Sequence, residues 1–279
     1  MQTIHTENML REALTAYRTT GDTIALVPTM GALHAGHLAL IALAKTHSRR
    51  VVVSIFVNPT QFGPHEDFET YPRALSKDEA LLRVAGVDVL WAPSVDAMYP
   101  DGFATTVSVT RLGDHLCGAV RPGHFDGVAT VVAKLCGQVR PDCAVFGEKD
   151  WQQLAIIRRL ATDLSLNVRI LGAPIVREDD GLALSSRNRY LSGNERAIAT
   201  SLPKSLISAK AQLIAGAPLG PTLAATCVQL LSAGFTSIDY LHVIDSDTLA
   251  IRTELSANAR IVVAARINTT RLIDNMSIG

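Results

Sequence analysis

Residues Ala25–His37 read ALVPTMGALHAGH, and this stretch decides the fold. Ile24 to Val27 is a short apolar run of the kind that forms a buried strand, and Pro28, which cannot donate to a ladder, is expected to end it. Gly31 and Gly36 permit tight backbone, and Leu38 to Ala44 reads as a helix whose first turn lies near His34 to His37. The unit is strand, loop, helix. A helix amino terminus presents N–H groups without intrahelical partners and a partial positive charge, both suited to phosphate. His34 and His37 are three residues apart, which puts both imidazoles on one side of a first helical turn. From there they can donate hydrogen bonds to phosphate oxygens as charge develops during displacement at phosphorus. They also read as ordinary polar residues of a helix cap, and H-x-x-H spacing alone does not choose.

Outward from this loop, strands and helices alternate. Val51–Val57 (VVVSIFV) suits a parallel strand covered on both faces. It runs into Asn58-Pro59-Thr60-Gln61, leaving Asn58 and Gln61 just past a strand's carboxyl end, where open α/β sheets bind ligands. A plain loop with both amides in water is the other reading. Val87–Trp91, Cys143–Phe146, Asn167–Leu171 and Ala173–Val176 are further strands, with Ala104–Thr110 another candidate. Helical spacing covers residues 7–19, 76–85, about 128–137 and 151–163. The pattern predicts an α/β fold, a Rossmann-like parallel sheet domain, over residues 1–178. Residues 179–279 read as a smaller α+β domain, with helices at about 194–214 and 221–233 and strands at Ser237–Ile244 and Arg260–Ile267.

Composition narrows the function. Lys plus Arg and Asp plus Glu are each 26, so no bulk field draws the chain to nucleic acid or an anionic membrane. No apolar run approaches the ~20 residues of a membrane span, and the chain reads as cytoplasmic. Cys117, Cys136, Cys143 and Cys227 form no CxxC pair, so free thiols are expected, as in a reducing cytosol.

Two further stretches carry chemistry. Gly147-Glu148-Lys149-Asp150 follows a strand and opens a helix, so Lys149 brings a point charge to a strand's carboxyl end. Asp150 with Gln153 also reads as a capping box. Asp179-Asp180-Gly181 is a turn, and Leu184-Ser185-Ser186-Arg187 then sets hydroxyls beside a guanidinium, a clamp for phosphate or ribose. In Arg121-Pro122-Gly123-His124-Phe125, Arg121 and His124 read either as anion contacts or as a solvated loop.

VPTMGALHAGH, VSIFVNPTQF, RPGHF, FGEKDWQQL and DGLALSSRNRYL, in this order, closely resemble the pantothenate synthetase (pantoate–beta-alanine ligase) family. The likeness is dense over residues 24–191 and continues to Arg271-Leu272-Ile273-Asp274-Asn275. His34-Ala35-Gly36-His37 matches the H-x-G-H tag of a wider nucleotidyl-transferring group. Leu184-Ser185-Ser186-Arg187 stands where some of that group carry a lysine-containing KMSKS tag, so nothing is carried over from those relatives.

The resemblance implies ligation of pantoate and beta-alanine with ATP as substrate, through a pantoyl adenylate, with Mg2+ on the ATP phosphates. It implies a homodimer, an ATP- and pantoate-binding domain over 1–178 and a lid over 179–279. It implies that Met30, Gly31, Ala32, Leu33, His34, Ala35, Gly36 and His37 line the ATP site. Gly147, Glu148, Lys149, Asp150, Val176, Leu184, Ser185, Ser186 and Arg187 complete that set. His37, His34, Lys149 and Arg187 are the implied catalytic residues, His37 matching the family's proton donor, and Gln61 and Gln153 the implied substrate contacts. Pro28, Met30, Val131 and Val132 are candidates to cover pantoate's geminal methyls, or plain core. No metal ligand is nominated. A nucleotidyltransferase with a phosphate-bearing acceptor and a silent nucleotide-binding module are the competing readings; the glutamine pair counts against the first, and His34, His37, Lys149 and Arg187 together count against the second.

Overall fold

The computed structural model describes residues 1–64 and 66–279, which group into two compact units. The first comprises Met1–Glu148 with Ile156–Pro174, the second Lys149–Ala155 with Ile175–Gly279.

In the first unit β1 (Gln2–Ile4), β2 (Ile24–Thr29), β3 (Arg50–Ile55), β4 (Val89–Trp91), β5 (Cys143–Gly147) and β6 (Arg169–Ala173) form one sheet in the order β1-β4-β3-β2-β5-β6. Every pairing is parallel, as the α/β reading expects. Successive residues Ile24–Val27 and Val51–Ser54 are all buried; side chains alternate across a strand, so both faces of the sheet are covered. The helices are α1 (Glu7–Thr19), α2 (Ala35–His47), α3 (Leu75–Val84), α4 (Val95–Met98), α5 (Cys117–Val120) and α6 (His124–Val139), with α7 (Trp151–Asp163) entering from the second unit. From β2 the chain moves to β3 and β4 on one side and later to β5 on the other. The strand order therefore reverses between β2 and β5, and their carboxyl ends flank the crevice where open sheets bind ligands.

Pro28 does not end β2: it pairs in register with Ser54, and Thr29 with Ile55. The Thr23 and Thr29 carbonyls accept from β3 and that of Ile24 from the Asp142 N–H ahead of β5, so Pro28 faces the β5 side. The β2–β5 partners end at Leu26–Ala144, so the missing N–H breaks no ladder bond there.

Three other expectations change. Ala104–Thr110 is not a strand; Val107 donates its N–H to Thr130 Oγ1 at 2.9 Å instead of to a ladder. Ala173–Val176 is not a strand either, because β6 stops at Ala173 before Pro174. The helix expected from about Val128 starts at His124, entered through Gly123 at φ +79.

In the second unit β7 (Ser237–Asp245), β8 (Ala259–Ile267) and β9 (Thr270–Ser277) form an antiparallel sheet in the order β7-β8-β9. The single helix expected at about 194–214 is two, α8 (Gly193–Ala199) and α9 (Ser201–Ile214). Pro203 sits in the first turn of α9, where its missing N–H is tolerated, whereas one continuous helix would lose a bond there. With α10 (Leu219–Ala233) they build a core that includes Leu202, Leu206 and Leu230 with Val243, Ile261 and Val263. All four cysteines are free thiols. Among the described residues no helix is long and apolar enough to cross a membrane.

Candidate active site

At the end of β2 the chain turns through Gly31 at φ +81 and Ala32 at φ +52, both left-handed, before α2 begins. Thr29 anchors the turn, its hydroxyl donating to Ser54 O at 2.8 Å and accepting from Gly31 N at 3.2 Å. Ala32 N and Leu33 N donate to the two oxygens of Asp78 on α3, at 2.8 and 2.9 Å. Sequence reading did not find Asp78, because an acid in a polar helical stretch reads as solvated.

His34 is the N-cap of α2, and the two histidines cap it together. Gly36 N donates to His34 Nδ1 at 3.1 Å and His34 N to His37 Nδ1 at 3.3 Å. A backbone N–H donates only to a nitrogen that carries a lone pair, so each Nδ1 is an acceptor and each ring's proton is on Nε2. The cap and phosphate readings of H-x-x-H are therefore compatible, since the cap engages Nδ1 of each ring and not Nε2. The rings lie 4.1 Å apart between centroids.

Past β3, Pro59–Gln61 is a 3-10 turn capped by Asn58, which is 1% exposed. Asn58 Oδ1 accepts from the Tyr99 hydroxyl at 2.8 Å and the Thr60 hydroxyl at 2.9 Å. Its Nδ2 donates to Gln61 Oε1 and to Gly127 O, both at 3.1 Å. Gln61 thus spends its carbonyl on Asn58, and its Nε2 donates to Met30 Sδ at 3.2 Å. A Cβ on Gly127 would lie 2.4 Å from Thr60 O, so glycine lets α6 approach this turn.

Arg121 and His124 are not in a solvated loop. Arg121 grips both oxygens of Glu66 at 2.6 Å and donates to His124 Nε2 at 2.9 Å, and His124 Nδ1 then donates to Gln61 O at 2.8 Å. Burial pushes the Glu66 carboxyl up, but the guanidinium's hydrogen bonds and charge outweigh it and hold the group at about 2.

Gly147 ends β5 and Glu148 follows it; Lys149 and Asp150 complete a 3-10 turn that runs straight into α7, with Gln153 half-buried in the first turn of that helix. In the second unit Lys149 O accepts from Asn275 Nδ2 at 2.9 Å. Lys149 Nζ lies 4.0 Å from Asp150 Oδ2, at the edge of ion pairing. Val176 and Leu184 meet through a backbone bond of 2.9 Å across the Asp179–Gly181 turn. Ser185 caps the 3-10 helix Ser186–Tyr190 by accepting from Arg187 N at 3.3 Å, and Ser186 is buried. The first unit thus gathers Met30, His34, His37 and Gln61 at one sheet edge; the second holds Lys149, Gln153 and the Ser185–Arg187 turn.

A histidine-capped loop at the switch point of a doubly covered parallel sheet is the ligand-binding arrangement of open α/β enzymes. Comparison then fixes the group: the chain belongs to the pantoate-beta-alanine ligase family, whose model matches residues 2–277. It is similar to the pantothenate synthetases of Sphingopyxis alaskensis, 57% identical over 100% of both chains, and of Novosphingobium aromaticivorans, 55% identical over 100% and 99%. The crystal structure of pantothenate synthetase from Thermus thermophilus superposes with a TM-score of 0.95 at 47% identity, covering 100% of this chain and 99% of that one. The pantoate-beta-alanine ligase of Francisella tularensis, crystallised with beta-gamma ATP and beta-alanine, gives 0.83 at 34% identity over 100% and 98%. Membership makes the chain an enzyme of the ligase class.

Proposed function

We propose that this ligase joins (R)-pantoate to beta-alanine in two ATP-dependent steps. The pantoate carboxylate attacks the α-phosphorus of ATP, an O–P bond forms, and pyrophosphate leaves. The amine of beta-alanine then attacks the carbonyl carbon of the pantoyl adenylate. A C–N bond forms, the bond to AMP breaks, and the ammonium protons pass to solvent. Activation is required because a free carboxylate is a poor acyl donor and AMP a good leaving group.

One observation carries this reading: both histidines accept the helix-cap bonds on Nδ1, which puts the ring proton on Nε2. Two fixed N–H donors on one helical turn meet the charge that builds on phosphate oxygens in the first step. The attacking carboxylate has no proton to lose at neutral pH, so the histidines act as charge stabilisers rather than as a base. Lys149 and Arg187 add positive charge to the same task, Ser185 and Ser186 hold phosphate oxygens, and the other loop residues named above complete the nucleotide site. Gln61 and Gln153 bind pantoate's hydroxyls and carboxylate as neutral amides, which leaves the nucleophile its charge.

Among the described residues no three His, Cys, Asp or Glu side chains gather to hold a metal ion. Mg2+ keeps several waters and is commonly carried on substrate phosphates, so the reading brings it in with ATP. The reading also includes a cytosolic homodimer, tested by light scattering and fractionation.

The experiment is isotope exchange between pyrophosphate and ATP with pantoate present and beta-alanine absent. Pantoate-dependent exchange is expected; ATP binding without exchange would overturn the adenylate step.

A further inference from the structure

We propose that Asp78 is a positioning residue of the nucleotide loop, holding its left-handed turn and filling the anion-binding concavity that the turn creates. Asp78 is 3% exposed and belongs to the amino-terminal half of α3, whose partial positive charge favours a carboxylate. Its Oδ2 accepts from Ala32 N at 2.8 Å and its Oδ1 from Leu33 N at 2.9 Å. At Gly31 and Ala32 the left-handed backbone brings the Ala32 and Leu33 N–H groups onto the same carboxylate. A left-handed alanine costs roughly 1 kcal/mol, and two hydrogen bonds to a carboxylate offset it. Gly31 is needed twice over. Its φ is +81, and a Cβ there would lie 3.0 Å from Asp78 Oδ2 and 3.2 Å from Ile55 Cγ2.

Converging backbone N–H groups form the kind of concavity that loops elsewhere use to hold phosphate. Here the protein's own carboxylate occupies it. The Ala32 and Leu33 N–H groups are spent, and a buried negative charge under the loop keeps phosphate away from that side. Phosphate is directed instead to His34 and His37 at the start of α2. This rests on the ATP reading above and says how the loop selects the phosphate's place.

The test compares the wild type with Asp78→Asn and Gly31→Ala, reading ATP Kd by calorimetry, KM for ATP and pantoate, and thermal midpoint. Asn presents an NH2 to one of the two N–H donors, and Gly31→Ala leaves the carboxylate in place but crowds it. Each variant is expected to raise ATP Kd and KM about tenfold, roughly one hydrogen bond to a charged group, with pantoate KM moving less than about twofold. A lowered midpoint with ATP Kd unchanged, or ATP and pantoate KM raised equally, overturns the assignment. If Asp78→Asn does not fold, Asp78→Glu, which keeps the charge but moves it by one methylene from the Ala32 and Leu33 N–H groups, decides by the same criterion. A wild type that binds ATP but shows no pantoate-dependent exchange counts against the ligase reading only, and the ATP Kd comparison then decides on Asp78.

Discussion

Asn58 donates from Nδ2 to Oε1 of Gln61 at 3.1 Å and thereby sets which end of the glutamine amide faces Met30. Three donors, from Tyr99, the Thr60 hydroxyl and Thr60 N, hold Asn58 Oδ1 in place, so the asparagine cannot turn over without losing them. Asn58→Asp keeps those acceptor bonds but sets a second oxygen against Gln61 Oε1 and Gly127 O. The Gln61 amide is expected to rotate away, raising pantoate KM about tenfold with ATP KM moving less than about twofold, a loss on the scale of one buried hydrogen bond. Gln61→Ala and Gln153→Ala are expected to split the two constants in the same direction. Steady-state kinetics in both substrates reads the split, and equal effects would remove the assignment.

His34 serves the helix with one nitrogen and the reaction with the other, and substitution separates the two. Asn is a strong N-cap whose side-chain oxygen replaces Nδ1 toward Gly36 N. His34→Asn should therefore cost less than about 0.5 kcal/mol in urea unfolding, while pantoate-dependent exchange falls by about a hundredfold for loss of one donor to the developing charge. His34→Ala should lose the same rate and about 1 kcal/mol of stability besides. Exchange retained in His34→Asn would show that Nε2–H does not reach the phosphate.

What was legible in the sequence was local. The strand, loop and helix around HAGH were readable because Gly31, Gly36 and the apolar runs lie within one short stretch, and the structure bears them out to within a few residues. Asp78 was not readable, because its partners Ala32 and Leu33 are 46 and 45 residues away and it sits among Lys77 and Glu79, as a solvated acid would. β9 is unmarked in the sequence because its hairpin turns at Asn268, φ +50, with no glycine there. Ala104–Thr110 reads as a strand because Thr105, Val107 and Val109 alternate as a strand does, and only the fold shows that no strand among the described residues pairs with it. Arg121 and His124 looked like loop residues because Glu66 and Gln61, which they bind, are remote in sequence.

Those remote bonds give a pH signature. The Glu66 carboxyl is held at about 2 against an ordinary 4.5, so the ionised pair with Arg121 contributes stability in full above about pH 4.5 and loses it as pH falls toward 2. Glu66→Gln removes this titration. Its unfolding free energy is expected to lie below that of wild type at neutral pH, with the gap narrowing from about pH 4.5 downward. Urea unfolding between neutral pH and about pH 3 reads the difference. Curves that stay parallel would show that the pair does not report on folding.

In the second unit the same logic reaches Lys149 through β9. Asn275, 3% exposed, accepts from Arg260 at 2.5 Å on Oδ1 and donates from Nδ2 to Lys149 O at 2.9 Å, while the Arg260 guanidinium lies 3.5 Å over the Trp151 ring. The strand thus fixes the backbone that carries the lysine. Asn275→Ala leaves the Lys149 carbonyl without that donor and is expected to slow pantoate-dependent exchange about tenfold, on the scale of one buried hydrogen bond. Lys149→Ala, which removes the charge itself, is expected to cost about a hundredfold. The two effects should not add: with the lysine gone, its placement no longer matters, so the double variant should be no slower than Lys149→Ala. A further tenfold loss in the double variant would mean that Asn275 acts on the reaction by a route other than Lys149.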